Sequence, residues 1–132
     1  MQIDDLLSAY AAAVDAKDWD HLESLFAEDA VLDYTGTGGP RGSFREVLPF
    51  LQKGLGHFSV TQHFITNRRI AVEGDRATSS AYLFNPLGRD DGEGGLSLMV
   101  VGGRYESRYR RTDSGWSITE HVASMVWGPR PA

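Results

Sequence analysis

The spacing of apolar residues changes once along this chain, and that change limits the folds open to it. Over residues 3–15, apolar side chains recur every third or fourth position, as on one face of a helix. From His57 onward they alternate with polar residues, which is typical of strands that bury one face. Helices are therefore predicted first and a sheet afterwards, which places the chain in the α+β class.

Local signals predict the individual elements. Asp18 is predicted to cap a second helix, and Ser43 with Glu46 forms a capping-box pattern that opens a third. Pro49 is expected to kink or shorten that third helix. Strands are predicted over residues 31–35, 60–66, 77–84, 96–111 and 116–127, with a bulge or bend at Gly102 and Gly103. Residues 86–95, rich in Gly and Asp, are predicted to form a mobile loop.

These elements suggest one architecture. A cone-shaped, curved antiparallel sheet wraps around about three N-terminal helices and encloses a pocket. A chain of 132 residues suits a single domain, predicted to span residues 1–132, and it is long enough to bury a core.

Composition excludes several classes of protein. The chain has no cysteine, which excludes disulfides and cysteine-based zinc sites. Its 13 Lys and Arg against 18 Asp and Glu give a net charge of −5, which argues against nucleic-acid binding. No apolar run approaches the ~20 residues that a membrane-spanning helix needs, and the N-terminus shows no signal-peptide pattern. We therefore expect a soluble cytoplasmic protein with neither a nucleic-acid nor a membrane partner.

The four histidines are the first candidates for chemistry. His21 is interpreted as a surface residue and His57 as a loop residue. His121 lies in the last predicted strand, and alternation does not show whether its side chain faces the inside or the outside of the sheet. His63 lies in the middle of a predicted strand. There an imidazole is either a hydrogen-bonded core group or a group with one nitrogen free for function. The histidines match no HxH or HExxH pattern, so no metal site is predicted.

One acidic and two phenolic side chains are further candidates. Asp15 lies at the flank of the apolar stripe of the first helix, so periodicity alone favours a surface or turn residue. Tyr10 lies on the stripe itself, and Tyr34 alternates with Leu32 in the first predicted strand. Buried tyrosines usually find a hydrogen-bond partner, so a structural role is the first interpretation of both.

Five segments of the sequence together resemble a known family. They are YAAAVDAKDWDHL at residues 10–22, LFAEDAVLDY at 25–34, TQHF at 61–64, GRY at 103–105 and RTDSGWSI at 111–118. The pattern is similar to the SnoaL-like branch of the nuclear-transport-factor-2-like superfamily. That branch includes scytalone dehydratase, bile acid 7α-dehydratase and lindane dehydrochlorinase. The resemblance covers nearly the whole chain and implies an α+β cone with a deep pocket.

The resemblance also implies roles for single residues. In these lyases a histidine on a strand transfers the proton and an aspartate near the end of the first helix pairs with it; by position these are His63 and Asp15. Tyr34 matches a tyrosine that hydrogen-bonds the substrate, and Tyr10 matches a further pocket tyrosine. There is no histidine around residues 81–82, where scytalone dehydratase has its second one. A dyad with one histidine, as in the dehydrochlorinase, is therefore the better analogue.

The expected activity is that of a cofactor-independent lyase of the dehydratase kind. It would act on a small hydrophobic molecule that is carbonyl-bearing or cyclic, with the Asp–His dyad as general base. An isomerase or polyketide cyclase in the same pocket, and a non-catalytic ligand-binding protein, are the alternatives. The substrate-binding residues are predicted to be Leu7, Trp19, Phe50, Phe64, Leu98, Tyr105 and Trp127. A homo-oligomer, either a dimer or a trimer, is expected because members of the family commonly assemble.

Overall fold

The computed structural model describes residues 1–129, which form three helices and seven strands. The helices are α1 (Ile3–Ala16), α2 (Trp19–Ser24) and α3 (Phe44–Gly56). The strands are β1 (Phe26–Gly36), β2 (Arg41–Gly42), β3 (Val60–Thr61), β4 (Phe64–Glu73), β5 (Arg76–Asp90), β6 (Leu96–Thr112) and β7 (Gly115–Trp127). Within the described residues, no helix has both the length and the apolar character needed to cross a membrane.

All seven strands belong to one curved sheet. Its order is β2-β1-β7-β6-β5-β3, and β4 pairs with β5 on the same side as β3. The α+β class is confirmed, but the expectation of a wholly antiparallel sheet needs one correction, because β1 and β7 are parallel. β4, β5, β6 and β7 form an antiparallel meander. Its last strand, β7, returns alongside β1 and runs in the same direction as β1. The two edges of the described sheet do not pair with each other, so it is an open cone.

The segment predicted to be a mobile loop is mostly strand. Residues 86–90 extend β5, and the ladder continues to the pair formed by Asp90 and Leu96. Only the short connection between those two residues lies outside the strands. The shift in register between Gly102 and Gly103 confirms the predicted bulge.

The helices cover the concave face of the sheet, and their predicted caps are confirmed. Asp18 accepts the backbone N–H of His21 at the start of α2. α1 ends at Ala16 and is capped by Lys17, which adopts a left-handed φ of 55° and donates its backbone N–H to carbonyls of the last turn. α3 continues for 13 residues through Pro49, so that proline does not shorten it. The core between helices and sheet includes Leu6, Leu7, Val14, Leu22, Leu32, Val47, Tyr109 and Ile118.

The start of α3 provides a test of local stability. The Ser43 hydroxyl accepts the backbone N–H of Glu46, and the Glu46 carboxylate accepts the backbone N–H of Ser43. We expect Ser43→Ala to lower the free energy of unfolding by about 1 kcal/mol, because one N–H at the helix start loses its acceptor. Urea unfolding measures this change. The control is Gln52→Ala on the exposed side of α3, and an equal effect of both variants would contradict the role of the cap.

Candidate active site

A cavity of about 210 Å³ lies between the helices and the concave face of the sheet. Its wall is mostly apolar and includes Val14, Phe50, Leu51, Leu55, Phe58 and Leu83. Seven polar residues line the same space: Tyr10, Tyr34, Thr37, His63, Asn85, Tyr105 and Ser124. A mostly apolar hollow with a few convergent polar groups is the usual form of a small-molecule site.

The convex face of the sheet has a wider depression of about 470 Å³. It is lined by charged side chains, among them Arg69, Glu106, Arg108 and Glu120, and by neither histidine nor tyrosine. The candidate histidine His63 and the tyrosines are on the concave side.

The structure brings Asp15 and His63 together. The Asp15 Oδ1 and His63 Nδ1 atoms are 2.6 Å apart, and the backbone N–H of His63 donates to both carboxylate oxygens at 3.1 and 3.0 Å. The Thr61 hydroxyl donates to Oδ1 at 3.1 Å. Asp15 stands in the last turn of α1, and His63 lies between β3 and β4. Lys17 supports this arrangement by donating from Nζ to the backbone oxygen of Phe58 at 2.7 Å.

These contacts define the charge and the tautomer of the pair. Partial burial would raise the pKa of Asp15, but the hydrogen bonds from His63 and Thr61 outweigh that effect and hold the pKa below its ordinary value. An ionised carboxylate can only accept, so His63 Nδ1 carries a proton and donates it. In the neutral imidazole, Nε2 then keeps its lone pair, which is the state of a general base.

Asn85 is the neighbour of that lone pair. Its Nδ2 lies 3.3 Å from His63 Nε2, while its Oδ1 is buried without a hydrogen-bond partner. Sequence reasoning does not identify this residue, because it lies between the predicted strand 77–84 and the predicted loop. Alternation along β5 would have found it, since Ala81, Leu83 and Asn85 share the inward face.

Three tyrosines form the second polar group of the cavity. The hydroxyls of Tyr10 and Tyr34 are hydrogen-bonded to each other, and the Tyr105 ring packs edge-on against Tyr10 with centroids 5.4 Å apart. Burial raises the pKa of Tyr34 to about 12 and raises the pKa values of the other two well above the ordinary value. All three hydroxyls thus keep their protons at neutral pH and can donate hydrogen bonds.

Both the sequence and the fold of this chain are similar to those of known proteins. Residues 1–122 match the family model of the SnoaL-like domain. The chain belongs to the SnoaL-like domain family. A family relative, the uncharacterized protein Rv2910c of Mycobacterium tuberculosis, is 32% identical over 127 residues, which are 96% of this chain and 85% of that protein.

Solved structures confirm the predicted NTF2-like fold. A candidate aromatic ring hydroxylase from Novosphingobium aromaticivorans is 32% identical, with a TM-score of 0.82 over 96% of this chain and 90% of that one. A candidate dehydratase of the NTF2-like family from Streptomyces avermitilis is 23% identical, with a TM-score of 0.81 over 95% and 94% of the two chains. Hexachlorocyclohexane dehydrochlorinase LinA-type3 from Novosphingobium barchaimii is 20% identical, with a TM-score of 0.80 over 98% and 88%.

Of the substrate-binding residues predicted for this SnoaL-like domain, only Phe50 and Tyr105 line the cavity. The prediction is corrected for Leu7, Trp19, Phe64, Leu98 and Trp127. Leu7 is buried in the core on the stripe of α1, and Trp19 packs against the core from the first turn of α2.

The other three corrected residues lie on the convex face of the sheet. Phe64 follows inward-facing His63 and therefore points outward, against Phe84. Trp127 lies over Gly102 and contacts Phe84 as well. Leu98 is 66% exposed and lies over Gly88.

His121 is buried behind the cavity wall of the SnoaL-like domain. Its ring packs against Tyr105 and Tyr10 with centroids 4.6 and 4.8 Å apart. Nδ1 lies 2.9 Å from the Ser107 hydroxyl, and Nε2 has no partner. Burial lowers the pKa of His121 to about 3, so this imidazole is neutral and belongs to the core.

No cluster of three or more His, Cys, Asp or Glu residues that could hold a metal ion occurs in residues 1–129.

Proposed function

We propose that this SnoaL-like protein is a cofactor-independent lyase of the dehydratase kind. It acts on a small hydrophobic molecule that carries a carbonyl group or a ring, and His63, held by Asp15, is the general base. The observation that carries the proposal is the 2.6 Å contact between Asp15 Oδ1 and His63 Nδ1 at the wall of an apolar cavity. Elimination needs such a base close to a carbon acid in a site that excludes water.

The first step is removal of a proton from carbon. His63 Nε2 accepts this proton, and the electron pair of the C–H bond moves onto the substrate as an enolate. The Asp15 carboxylate stabilises the imidazolium that forms and keeps the ring in its orientation. Loss of hydroxide from the neighbouring carbon, with the proton returned to it as water, completes the elimination.

Tyr34 and Tyr10 together supply a hydrogen bond for the negative charge that develops, because one hydroxyl donates to the other and the second keeps its proton for the substrate. Their hydroxyls are protonated and point into the same cavity. A donor that is already in place stabilises an enolate or a departing hydroxyl without reorganisation.

The cavity sets an upper limit on the size of the substrate. A dry cavity of about 150 Å³ holds benzene in another protein, so the roughly 210 Å³ found here suits one or two small rings. A ring of this kind agrees with the description of the 32% identical Novosphingobium protein as a candidate aromatic ring hydroxylase. The candidate dehydratase and the dehydrochlorinase of the same fold are both named for elimination reactions, which supports the reaction class.

The alternatives fit these contacts less well. An isomerase would use a carboxylate base standing apart from the histidine, whereas Asp15 is bonded to His63. A purely structural role for His63 predicts a hollow filled by side chains, whereas His63 lines an open cavity of about 210 Å³. Its ring contacts are both to side chains, at Asp15 and Asn85.

A panel of one- and two-ring β-hydroxy ketones tests the proposal. Dehydration produces a conjugated enone, whose ultraviolet absorbance gives the rate directly. We expect turnover of at least one member by the wild-type protein and turnover at least about 10²-fold slower by His63→Gln. Binding of the panel without any conversion would contradict the lyase and favour the non-catalytic alternative.

Removal of one phenol hydroxyl tests the donor role. We expect Tyr34→Phe to reduce kcat about 10²-fold with a small change in KM, because the lost hydrogen bond acts on charge that develops in the transition state. The matched control is Tyr109→Phe, which removes a buried hydroxyl bonded to Ser79 outside the cavity. An equal loss of kcat in the two variants would show that Tyr34 acts through stability alone.

A further inference from the structure

The polar side chain of Asn85 is buried in an apolar wall where it does not stabilise the fold. It is only 6% exposed, and its neighbours on the inward face of β5 are Leu83 and Leu87. Its one hydrogen bond, to His63 Nε2, is long at 3.3 Å, and its Oδ1 has no partner. An apolar residue would pack here without burying an unsatisfied carbonyl, so the amide costs stability where it stands.

The geometry also limits what the amide can contact during catalysis. A substrate carbon that gives its proton to His63 Nε2 must approach within about 3–3.5 Å of that atom. Asn85 Nδ2 now stands at this distance from Nε2, 3.3 Å away, so the substrate carbon displaces the amide, which loses the imidazole as its acceptor. An oxygen on the adjacent carbon is two covalent bonds from the reacting carbon, so a small rotation of the displaced Asn85 side chain can bring Nδ2 within hydrogen-bond reach of it.

We propose that Asn85 is a further catalytic residue, whose amide N–H binds the substrate oxygen that becomes the enolate; this deepens the proposed lyase function and rests on it. The C–H bond breaks, its proton goes to His63 Nε2, and its electron pair forms the enolate whose oxygen Asn85 holds. The bond between the departing hydroxyl group and its own carbon, on the other side of the reacting carbon, then breaks. The hydroxide takes the proton from His63 and leaves as water. The tyrosine hydroxyls are thereby left to bind the departing hydroxyl group.

The assignment defines the substrate more narrowly. The carbon that loses its proton must be bonded to a carbon that carries a carbonyl oxygen. A molecule without that oxygen would leave the Asn85 amide without an acceptor in an apolar wall, and a site of this kind rejects such analogues strongly.

The test needs no identified substrate, because a phenolate imitates an enolate oxygen on a ring. The probe is 4-nitrophenol, titrated into the protein at a pH at which it is ionised and followed by its visible absorbance. We expect the wild-type protein to bind the anion and Asn85→Leu to weaken that affinity about tenfold or more. Nitrobenzene, which has the ring and no phenolate, serves as the control ligand, and its affinity should stay within about twofold in the variant.

Three results would overturn the proposal. They are unchanged affinity of Asn85→Leu for the phenolate, an equal loss of affinity for phenolate and nitrobenzene, and no binding of phenolate by the wild-type protein. Asn85→Ala, which also lacks a donor and is smaller, serves if the leucine variant does not fold, and the same comparison of ligands applies. None of these results bears on the dyad, since His63→Gln is assayed by turnover and not by the binding of the anion.

Discussion

Replacing His63 by glutamine is expected to reduce kcat for dehydration about 10²–10⁴-fold, because the amide can hold the substrate but cannot accept its proton. Asp15→Asn is expected to cause a loss of similar size. The neutral amide does not stabilise the imidazolium, and its NH₂ group favours the wrong imidazole tautomer. The two groups bond directly at 2.6 Å, so the double variant should lose little more than either single one.

Steady-state kinetics on the first ketone that is turned over would measure these losses. His57→Gln is the matched control, because this exposed histidine caps the end of α3 away from the cavity lining and should keep full activity. Circular dichroism has to accompany Asp15→Asn, since Asp15 also accepts the backbone N–H of His63. Turnover that survives both substitutions would contradict the dyad, and a loss in only one would show that the residues do not act as a pair.

The period of the apolar residues was sufficient to predict the fold. Apolar residues have helical spacing before His57 and alternate after it. A sheet packed against helices is one of the few arrangements that bury the apolar face of the helices and that of the strands together. The parallel pairing of β1 with β7 could not be predicted, because it joins the two ends of the chain and has no local signal. The extension of β5 beyond Phe84 was hidden by Pro86 and Gly88, which read as breakers of a strand.

Alternation alone does not tell which face of a strand meets the helices. The convex face of this sheet carries large apolar side chains of its own, so hydrophobicity placed Phe64, Leu98 and Trp127 on the wrong side. Position within the family pattern identified Asp15 and His63, which periodicity had left ambiguous, and the structure places them in contact. His121 shows the opposite case, since its burial depends on four aromatic neighbours that are distant in sequence.

That buried histidine makes the stability of the protein depend on pH. His121 has a pKa of about 3 when folded against an ordinary value of 6.5, because burial disfavours its charged form. Above the higher value both states are neutral and the residue contributes nothing to the pH dependence. As the pH falls below it, the unfolded chain binds a proton that the folded one does not, so stability is lost. Each pH unit costs about 1.4 kcal/mol, which gives roughly 3 kcal/mol by about pH 4.

We therefore expect the free energy of unfolding, measured in urea at several pH values, to fall steeply between pH 6.5 and about pH 4, and His121→Gln to flatten that slope. Glutamine does not titrate and can still bond to the Ser107 hydroxyl, so the variant tests the charge separately from the packing. Protonation of the Asp15 carboxylate also lowers the free energy of unfolding, but only below its ordinary pKa of 3.8. That pH lies outside the range from 6.5 to about 4. Exposed His21→Gln is the control that should leave the slope unchanged. A slope that persists in His121→Gln would show that another group carries the effect.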